Sequence, residues 1–598
     1  MTTPDKLAAL RAAMRAQSID ACLVLASDPH LSEYLPPRWQ GREWLSGFTG
    51  SVGTLIVCAE HAGLWTDGRY WTQAETELAG SGIELMKLSS GASLQYIDWL
   101  AAHLQPGQVA AVDANVLGLA VARQLRQTLA ARGISLRTDL DLLDAIWPAR
   151  PGLPAAPVFE HAAPYATLTR AAKLAQVRAA MAAAGATRHL VSTLDDIAWL
   201  LNLRGSDIAY NPVFCAHLLL GADSATLFVE AAKLAPELQA RLAADGVRLA
   251  PYGAAAAAVG ALDPDETLLI DPRRITAGLR DCVPAAMRVI EALNPSTLAK
   301  SRKSAADIAN VRATMEQDGA ALCAFFAWLE PQLARPAACT LRETDIADQL
   351  LALRVARPGF ISPSFSTIAG FNSNGAVIHY RAHPATAATI NADGLLLIDS
   401  GGQYLGGTTD ITRVVAVGQA SAAQRRDFTL VLKGMIALSV ARFPRATRSP
   451  MLDAIARAPL WAAGADYGHG TGHGVGYFLN VHEGPQSISP AALATPETAL
   501  EEGMITSNEP GLYRPGRWGI RIENLVLTVA AGQTEFGDFL AFETLTLCPI
   551  DTRLIERSLL RQDEIDWLNA YHASVRARLL PHVDGAARAW LEQRTEAL

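Results

Sequence analysis

The sequence predicts a multidomain chain of mixed α/β and α+β class, with two related α/β domains followed by a distinct third domain. Three observations predict this: an internal repeat in the front half, two seams dense in helix-breaking residues, and a last segment of strand pairs bearing carboxylates.

The repeat begins at the first helix. Lys6-Leu-Ala-Ala-Leu-Arg-Ala-Ala-Met14 returns as Lys173-Leu-Ala-Gln-Val-Arg-Ala-Ala-Met181, identical at seven of nine positions, and Cys22-Leu-Val-Leu-Ala26 meets His189-Leu-Val-Ser-Thr193 at the same offset of 167. A later match, His61 to Asp67 with Ser224 to Glu230, needs a gap. Leu7, Leu10 and Met14 make a helical apolar stripe, so each copy opens as a helix followed by a strand. The period is far too long for a solenoid of stacked units. The first copy also carries Gly47-Phe-Thr-Gly50 and Trp65-Thr-Asp-Gly-Arg-Tyr70. Those aromatics fit core and turn positions, or else a surface meeting the third domain.

The first seam is Pro148 to Pro157, with prolines at 148, 151, 154 and 157. Neither a helix nor a central strand tolerates that density. The second is Asn294-Pro295-Ser296, followed by Ser304-Ala-Ala-Asp307, a capping-box start for a helix through Val311, Met315 and Leu322. The seams place domains at residues 1–155, 156–300 and 301–598.

Composition narrows the function classes. Half the residues are hydrophobic at a formal net charge of -8, which excludes a largely disordered chain. No uninterrupted apolar run approaches the ~20 residues of a membrane helix. The start reads as an amphipathic helix rather than a signal peptide. Seven scattered cysteines without CxxC spacing argue against a disulfide framework or zinc finger. A cytoplasmic protein without a membrane partner is expected, and a pI near 5.9 argues against nucleic acid.

The third domain carries the chemistry. Leu395-Leu-Leu-Ile398 runs into Asp399, and Asp410 opens the strand through Val417, a hairpin with two facing aspartates. Met504 to Tyr513, with Glu509, leads into Gly519 to Val529, with Glu523: a second strand pair with a second pair of carboxylates. Between them, Gly468-His-Gly-Thr-Gly-His-Gly-Val-Gly476 reads as a loop with glycine at every second position. Singly, each residue has a plain structural explanation, such as an aspartate in a turn. The glycine run fails as a dinucleotide fingerprint and lacks the P-loop lysine; no HExxH or GxSxG occurs. Jointly, four carboxylates in one core repel unless cations neutralise them. Two divalent metals balance the four charges and His473 completes the set. Oxygen-dominated ligation favours manganese ahead of zinc or cobalt. Two metals about 3.5–4 Å apart can share a hydroxide and polarise a carbonyl.

This pattern resembles the pita-bread (methionine aminopeptidase/prolidase/creatinase) superfamily, and within it the three-domain cytosolic aminopeptidase P type. The resemblance rests on Asn374-Gly-Ala-Val-Ile-His379-Tyr-Arg, Asp399-Ser-Gly, Thr408-Thr-Asp-Ile-Thr-Arg413, His469-Gly-Thr-Gly-His473-Gly-Val-Gly, Val481-His-Glu-Gly484, Ser507-Asn-Glu-Pro-Gly511 and Gly519-Ile-Arg-Ile-Glu-Asn524. Asp196 to Asp207 and Trp567 to His572 extend it to the second domain and to a C-terminal extension from about 545 to 598. It implies two creatinase-like N-terminal domains and a pita-bread catalytic domain. It also implies a metalloaminopeptidase that removes the residue preceding a penultimate proline, using a hydroxide bridged by two metals. By resemblance, Asp399, Asp410, His473, Glu509 and Glu523 hold the metals, with Asp410 and Glu523 bridging. His379 and His482 stabilise the oxyanion, Glu509 shuttles the proton, and His469 and Arg521 bind or orient substrate. Peptides with proline second are the implied partners, and a homodimer the implied assembly. Asp399 is a further candidate as counter-charge to the substrate's α-ammonium. A prolidase, or a pita-bread module that binds peptides or histones without catalysis, is the alternative.

Overall fold

The computed structural model describes residues 1–88 and 93–598, which form two compact units. The first comprises residues 1–162 and 168–297; the second comprises 163–167 and 298–598. The five residues 163–167, assigned from sequence to the second domain, thus pack with the later unit, where the Tyr165 carbonyl accepts from Tyr477 Oη at 2.9 Å.

The first unit holds two six-stranded sheets. Helix α1 (Thr3–Ala16) starts at a Thr2–Asp5 capping box and buries Leu7, Leu10 and Met14. It leads to β1 (Ala21–Leu25), followed by β2 (Thr54–Cys58), β3 (Ala62–Thr66), β4 (Glu84–Lys87), β5 (Val109–Ala111) and β6 (Ser135–Arg137). Helix α2 (Arg170–Ala183) then buries Leu174, Val177 and Met181, the positions 167 residues on from the α1 stripe. It leads to β7 (Arg188–Val191), with β8 (His217–Gly221), β9 (Ala225–Phe228), β10 (Val247–Ala250), β11 (Thr267–Ile270) and β12 (Arg288–Glu291) completing the second sheet.

The strand orders are β4-β3-β2-β1-β5-β6 and β10-β9-β8-β7-β11-β12, the same connectivity twice. In both, the two central pairings on one side of the first strand are antiparallel and the remaining three are parallel. The gapped match of His61–Asp67 with Ser224–Glu230 falls on β3 and β9, the equivalent third strands. The extra aromatics of the first copy take core and turn positions. Phe48 and Tyr70 are buried and meet edge to face at 6.1 Å, and Gly47, at φ +76°, ends a short helix in the left-handed region. The proline-rich seam 148–157 contains no helix or strand.

In the second unit, Ser304 and Asp307 form the expected capping box at the start of α3 (Ala305–Leu333). A three-stranded sheet sets β14 (Gly394–Ser400) between β13 (Ile368–Phe371) and β15 (Ile411–Val417). Helix α4 (Ala422–Ser439) precedes a six-stranded antiparallel sheet. Its order is Arg442–Pro444, Gly537–Thr544, Asn524–Thr534, Ile505–Asn508, Gly472–Gly474 and Glu483–Ile488. Apolar faces of both sheets, of α3 and α4 and of the C-terminal helices Gln562–Leu579 and Gly585–Arg594 share one core. Arg354 donates to Asp318 at 2.8 and 3.2 Å, and Tyr404 Oη donates to the same carboxylate at 2.8 Å. All three side chains are buried, so the ion pair fastens the helix Glu343–Val355 to α3 and the Tyr404 hydrogen bond adds the tip of the first hairpin. Removing one partner strands a buried charge, which costs about 3–5 kcal/mol. Asp318→Ala should therefore lower the urea midpoint of unfolding by the equivalent of about 3 kcal/mol or more; an unchanged midpoint would show that the pair does not stabilise the unit.

Candidate metal centre

Both carboxylate-bearing hairpins are interrupted at the carboxylates. In the first, β14 pairs with β15, with Asp399 opposite Thr412, and a short tip ladder follows between Gly402–Tyr404 and Gly407–Thr408. A Cβ on Gly401 would lie 2.0 Å from the Thr409 carbonyl oxygen, so only glycine permits this turn. In the second, Asn508 faces Asn524 at the end of one ladder, and Gly511–Arg514 pairs with Trp518–Arg521 beyond it. Glu509 and Glu523 occupy the break, where backbone leaves the ladder and side chains turn inward.

The hairpins are joined at the same level. Thr412 Oγ1 donates to Glu523 Oε2 at 2.8 Å, the Glu523 amide donates to the Thr412 carbonyl at 3.2 Å, and Arg521 Nε donates to Thr412 Oγ1 at 3.1 Å. Arg521 Nη2 pairs with Asp399 Oδ2 at 2.5 Å. Arg413, also buried, donates to the Glu523 carbonyl (2.6 Å), Asn524 Oδ1 (2.8 Å), the Cys548 carbonyl (2.8 Å) and Tyr571 Oη (3.0 Å). One guanidinium thus ties both hairpins to the C-terminal helix.

His473 arrives from a third direction. The glycine-rich run expected as a loop is a central strand at Gly472–Gly474, paired on both sides. Its alternating glycines allow backbone contact: a Cβ on Gly472 would sit 1.9 Å from the Ser507 carbonyl oxygen, and one on Gly474 2.3 Å from that of Glu483. The His473 amide donates to Ser507 Oγ (2.9 Å), which donates to Glu509 Oε1 (3.1 Å). His473 Nδ1 lies 2.9 Å from the Gly474 carbonyl, which assigns the proton to Nδ1 and leaves Nε2 a lone pair. That Nε2 points at Asp410 Oδ2 (3.6 Å) and Glu509 Oε1 (3.4 Å). Asp410, His473 and Glu523 each offer a ligand atom, all within 4.8 Å of one another.

The electrostatics call for cations. Burial, followed by Glu523 and Asp399, pushes the Asp410 carboxyl far above the usual range; burial, followed by Glu509 and Asp399, does the same to Glu523. Glu509 rises to about 7, mainly through burial, with Arg521 opposing and Asp399 adding. Asp399 Oδ1 and Glu523 Oε1 are buried with no hydrogen-bond donor. Two orphaned anionic oxygens beside an imidazole lone pair fit hard divalent cations.

The other residues expected from sequence to handle substrate stand on neighbouring segments. His482 stacks edge to face on His473 with ring centroids 4.3 Å apart. The next residue, Glu483, is buried and paired with Lys303 at 2.5 Å and Lys300 at 3.3 Å, which anchors the His482 segment. His469 Nε2 meets Tyr513 Oη at 2.9 Å, and Arg521 Nη1 donates to the same oxygen at 2.7 Å. Arg457 holds the His469 carbonyl at 2.6 Å. His379 is half-buried in the turn after the short helix Asn372–Ala376. That helix lies against the strand bearing Arg521, since a Cβ on Gly519 would lie 1.7 Å from the Gly375 carbonyl oxygen. Arg521 engages Oδ2 of Asp399, while Oδ1 is buried without a hydrogen-bond donor and is the oxygen most open to a metal or an ammonium. Sequence reasoning assigned no role to Thr412, Ser507 or Tyr513, although each stands within a quoted motif.

A carboxyl raised in the fold stabilises it below its unfolded value, near 4.5 for Glu509, and that contribution is lost as pH rises through about 7. Metal-free protein should therefore melt at progressively lower temperature from about pH 4.5 to 7 relative to protein loaded with Mn2+. A melting-temperature gap that stays constant over this window would contradict the charge repulsion described.

Family models match the chain in succession. Creatinase/prolidase N-terminal domains match residues 6–146 and 149–307, metallopeptidase family M24 matches 309–530, and the C-terminal region of peptidase M24 matches 538–598. "Aminopeptidase P2" of Arabidopsis thaliana is 39% identical over 97% of this chain and 86% of its own length. A "Probable Xaa-Pro aminopeptidase P" of Sordaria macrospora is 39% identical over 98% and 97% of the two chains. The crystal structure of X-prolyl aminopeptidase from Caenorhabditis elegans, described as a cytosolic enzyme with a di-nuclear active site, superposes with a TM-score of 0.94 at 32% identity, covering 100% of both chains. With two creatinase-type domains in front of a pita-bread domain whose hairpins converge four carboxylates on one histidine, the chain belongs to metallopeptidase family M24, in its Xaa-Pro aminopeptidase branch.

Proposed function

We propose that this protein hydrolyses the bond between an N-terminal residue and a penultimate proline, with two divalent cations, manganese by preference, held by Asp399, Asp410, His473, Glu509 and Glu523. The observation that carries the reading is the convergence of Asp410, His473 and Glu523 ligand atoms within 4.8 Å, beside orphaned oxygens of Asp399 and Glu523. When bound, the cations supply Lewis acidity and lower the pKa of an attacking water.

The chain's own groups do the rest. Glu509, on the strand break and hydrogen-bonded by Ser507, receives a proton and passes it to the departing proline nitrogen. His482, packed on His473, and His379 donate to the carbonyl oxygen as charge develops there. Arg521 holds Asp399 in register and, through Tyr513, sets the orientation of His469 beside the leaving peptide. Proline at the second position explains the need for a dedicated site. Its amide has no N–H and its ring fixes φ, so a pocket that binds a substrate N–H cannot serve it. The reading includes domains at 1–155, 156–300 and 301–598, a cytoplasmic location and a homodimer. Among the described residues no helix is long and apolar enough to cross a membrane.

An Xaa-Pro peptide incubated with Mn2+-loaded protein should release its first residue, and a chelator should abolish release. The matched Xaa-Ala peptide should be cleaved at least about 10-fold less efficiently, the range one well-placed pocket contact supplies. Equal cleavage of both peptides, or full activity in chelator, would overturn the assignment.

A further inference from the structure

Glu343 is one of the buried acids that the mechanism does not use. Glu343 opens the helix Glu343–Val355 and is fully buried, with 0% exposure. An acid in a helix's first turn ordinarily complements the helix dipole. Here the four donors to the carboxylate come from elsewhere, all within residues 371–388. The amide of Phe371 (2.8 Å) and Asn374 Nδ2 (2.9 Å) donate to Oε1, while Tyr380 Oη (2.7 Å) and the amide of Ala388 (2.7 Å) donate to Oε2. Asn374 Nδ2 also donates to Tyr380 Oη at 3.0 Å, and the Glu343 amide donates to the Ala388 carbonyl at 3.1 Å. Among the described residues no cation lies within ion-pair distance, so the charge is held by neutral donors alone, and every one of them is needed.

The segment so held contains no strand and only the five-residue helix Asn372–Ala376 between β13 and β14. A connection this long inside a packed domain lacks a ladder of its own and must be fixed by side chains. The bonds to Glu343 fall on both sides of His379: Asn374 and Phe371 before it, Tyr380 immediately after it and Ala388 beyond. Burial and the bond to Glu343 raise the Tyr380 phenol above its ordinary value, so its O–H remains a donor across the working pH range.

We infer that Glu343 is a positioning residue for the reaction, a buried clasp that sets the turn carrying His379 against the metal centre. This rests on the role of His379 in the proposed function. Glu343→Gln keeps the shape but puts an NH2 where an acceptor is required, facing donors on two sides. Its consequence is a displaced His379 rather than a lost metal ligand.

The test is a double-mutant cycle on Mn2+-loaded full-length protein cleaving an Xaa-Pro peptide, with bound manganese and melting temperature measured for every variant. His379→Ala should reduce kcat by about 100-fold, in the range of an oxyanion donor. Glu343→Gln should reduce kcat about 10-fold or more with bound manganese unchanged, and the double variant should lose no more than about the 100-fold of His379→Ala alone, rather than the roughly 1,000-fold of independent losses, because the clasp acts through His379. Tyr380→Phe, which removes a single bond, should give a smaller loss that is likewise non-additive with His379→Ala; it decides the matter if Glu343→Gln does not fold. An unimpaired Glu343→Gln, or a loss that multiplies in full with that of His379→Ala, overturns the inference while leaving the function intact. If His379→Ala itself keeps wild-type kcat, the role of His379 falls, and this inference with it.

Discussion

Mutual repulsion among four clustered carboxylates, three of them buried and that of Glu509 half-buried, is the constraint on which the catalytic unit depends. Asp399, Asp410, Glu509 and Glu523 converge, and the guanidinium of Arg521 opposes their charge. Such a cluster is held ionised in a fold only if backbone and side chains fix it and cations neutralise it. The structure meets the first condition by breaking each hairpin at its carboxylates and cross-linking the two at Thr412 and Arg413. Glycines at 401, 472 and 474 let backbones approach where a Cβ would collide. The second condition gives the site its chemistry, because a centre that requires dications is also one that activates water.

Rigid and irregular parts divide the work. The residues proposed to hold the metals stand in or beside strand ends, where ladders limit their motion. The histidines proposed to handle substrate stand on less regular segments, and each segment has its own buried fastening. Arg457 holds that of His469, the pairing of Glu483 with Lys303 holds that of His482, and Glu343 holds that of His379. These fastenings are polar and buried, so they are sensitive to loss of a single partner.

Much of this was legible in the sequence because it is imposed locally. The helix-then-strand openings repeat at a fixed offset since Leu7, Leu10 and Met14, like Leu174, Val177 and Met181, must face a core. The grouping of Asp410, His473 and Glu523 was legible because carboxylates near strand ends recur in two pairs with a histidine between them. The central strand at His473 was not, since its glycines have low strand propensity and are explained only by backbones 472 and 474 meeting Ser507 and Glu483. Arg521, too, carries an ion pair to Asp399 that spans 122 residues and leaves no local trace. Glu343 looks like any acid in a first helical turn until the chain from 371 to 388 is seen to close around it.

The most direct measurement is the number of manganese ions bound per chain, counted by equilibrium dialysis together with the EPR spectrum of the bound metal. The account predicts two ions per chain with a spin-coupled spectrum, since the proposed function has Asp410 and Glu523 shared between them. It also predicts loss of that coupling in Asp410→Asn. A fully active protein holding one isolated manganese, or none, would contradict it.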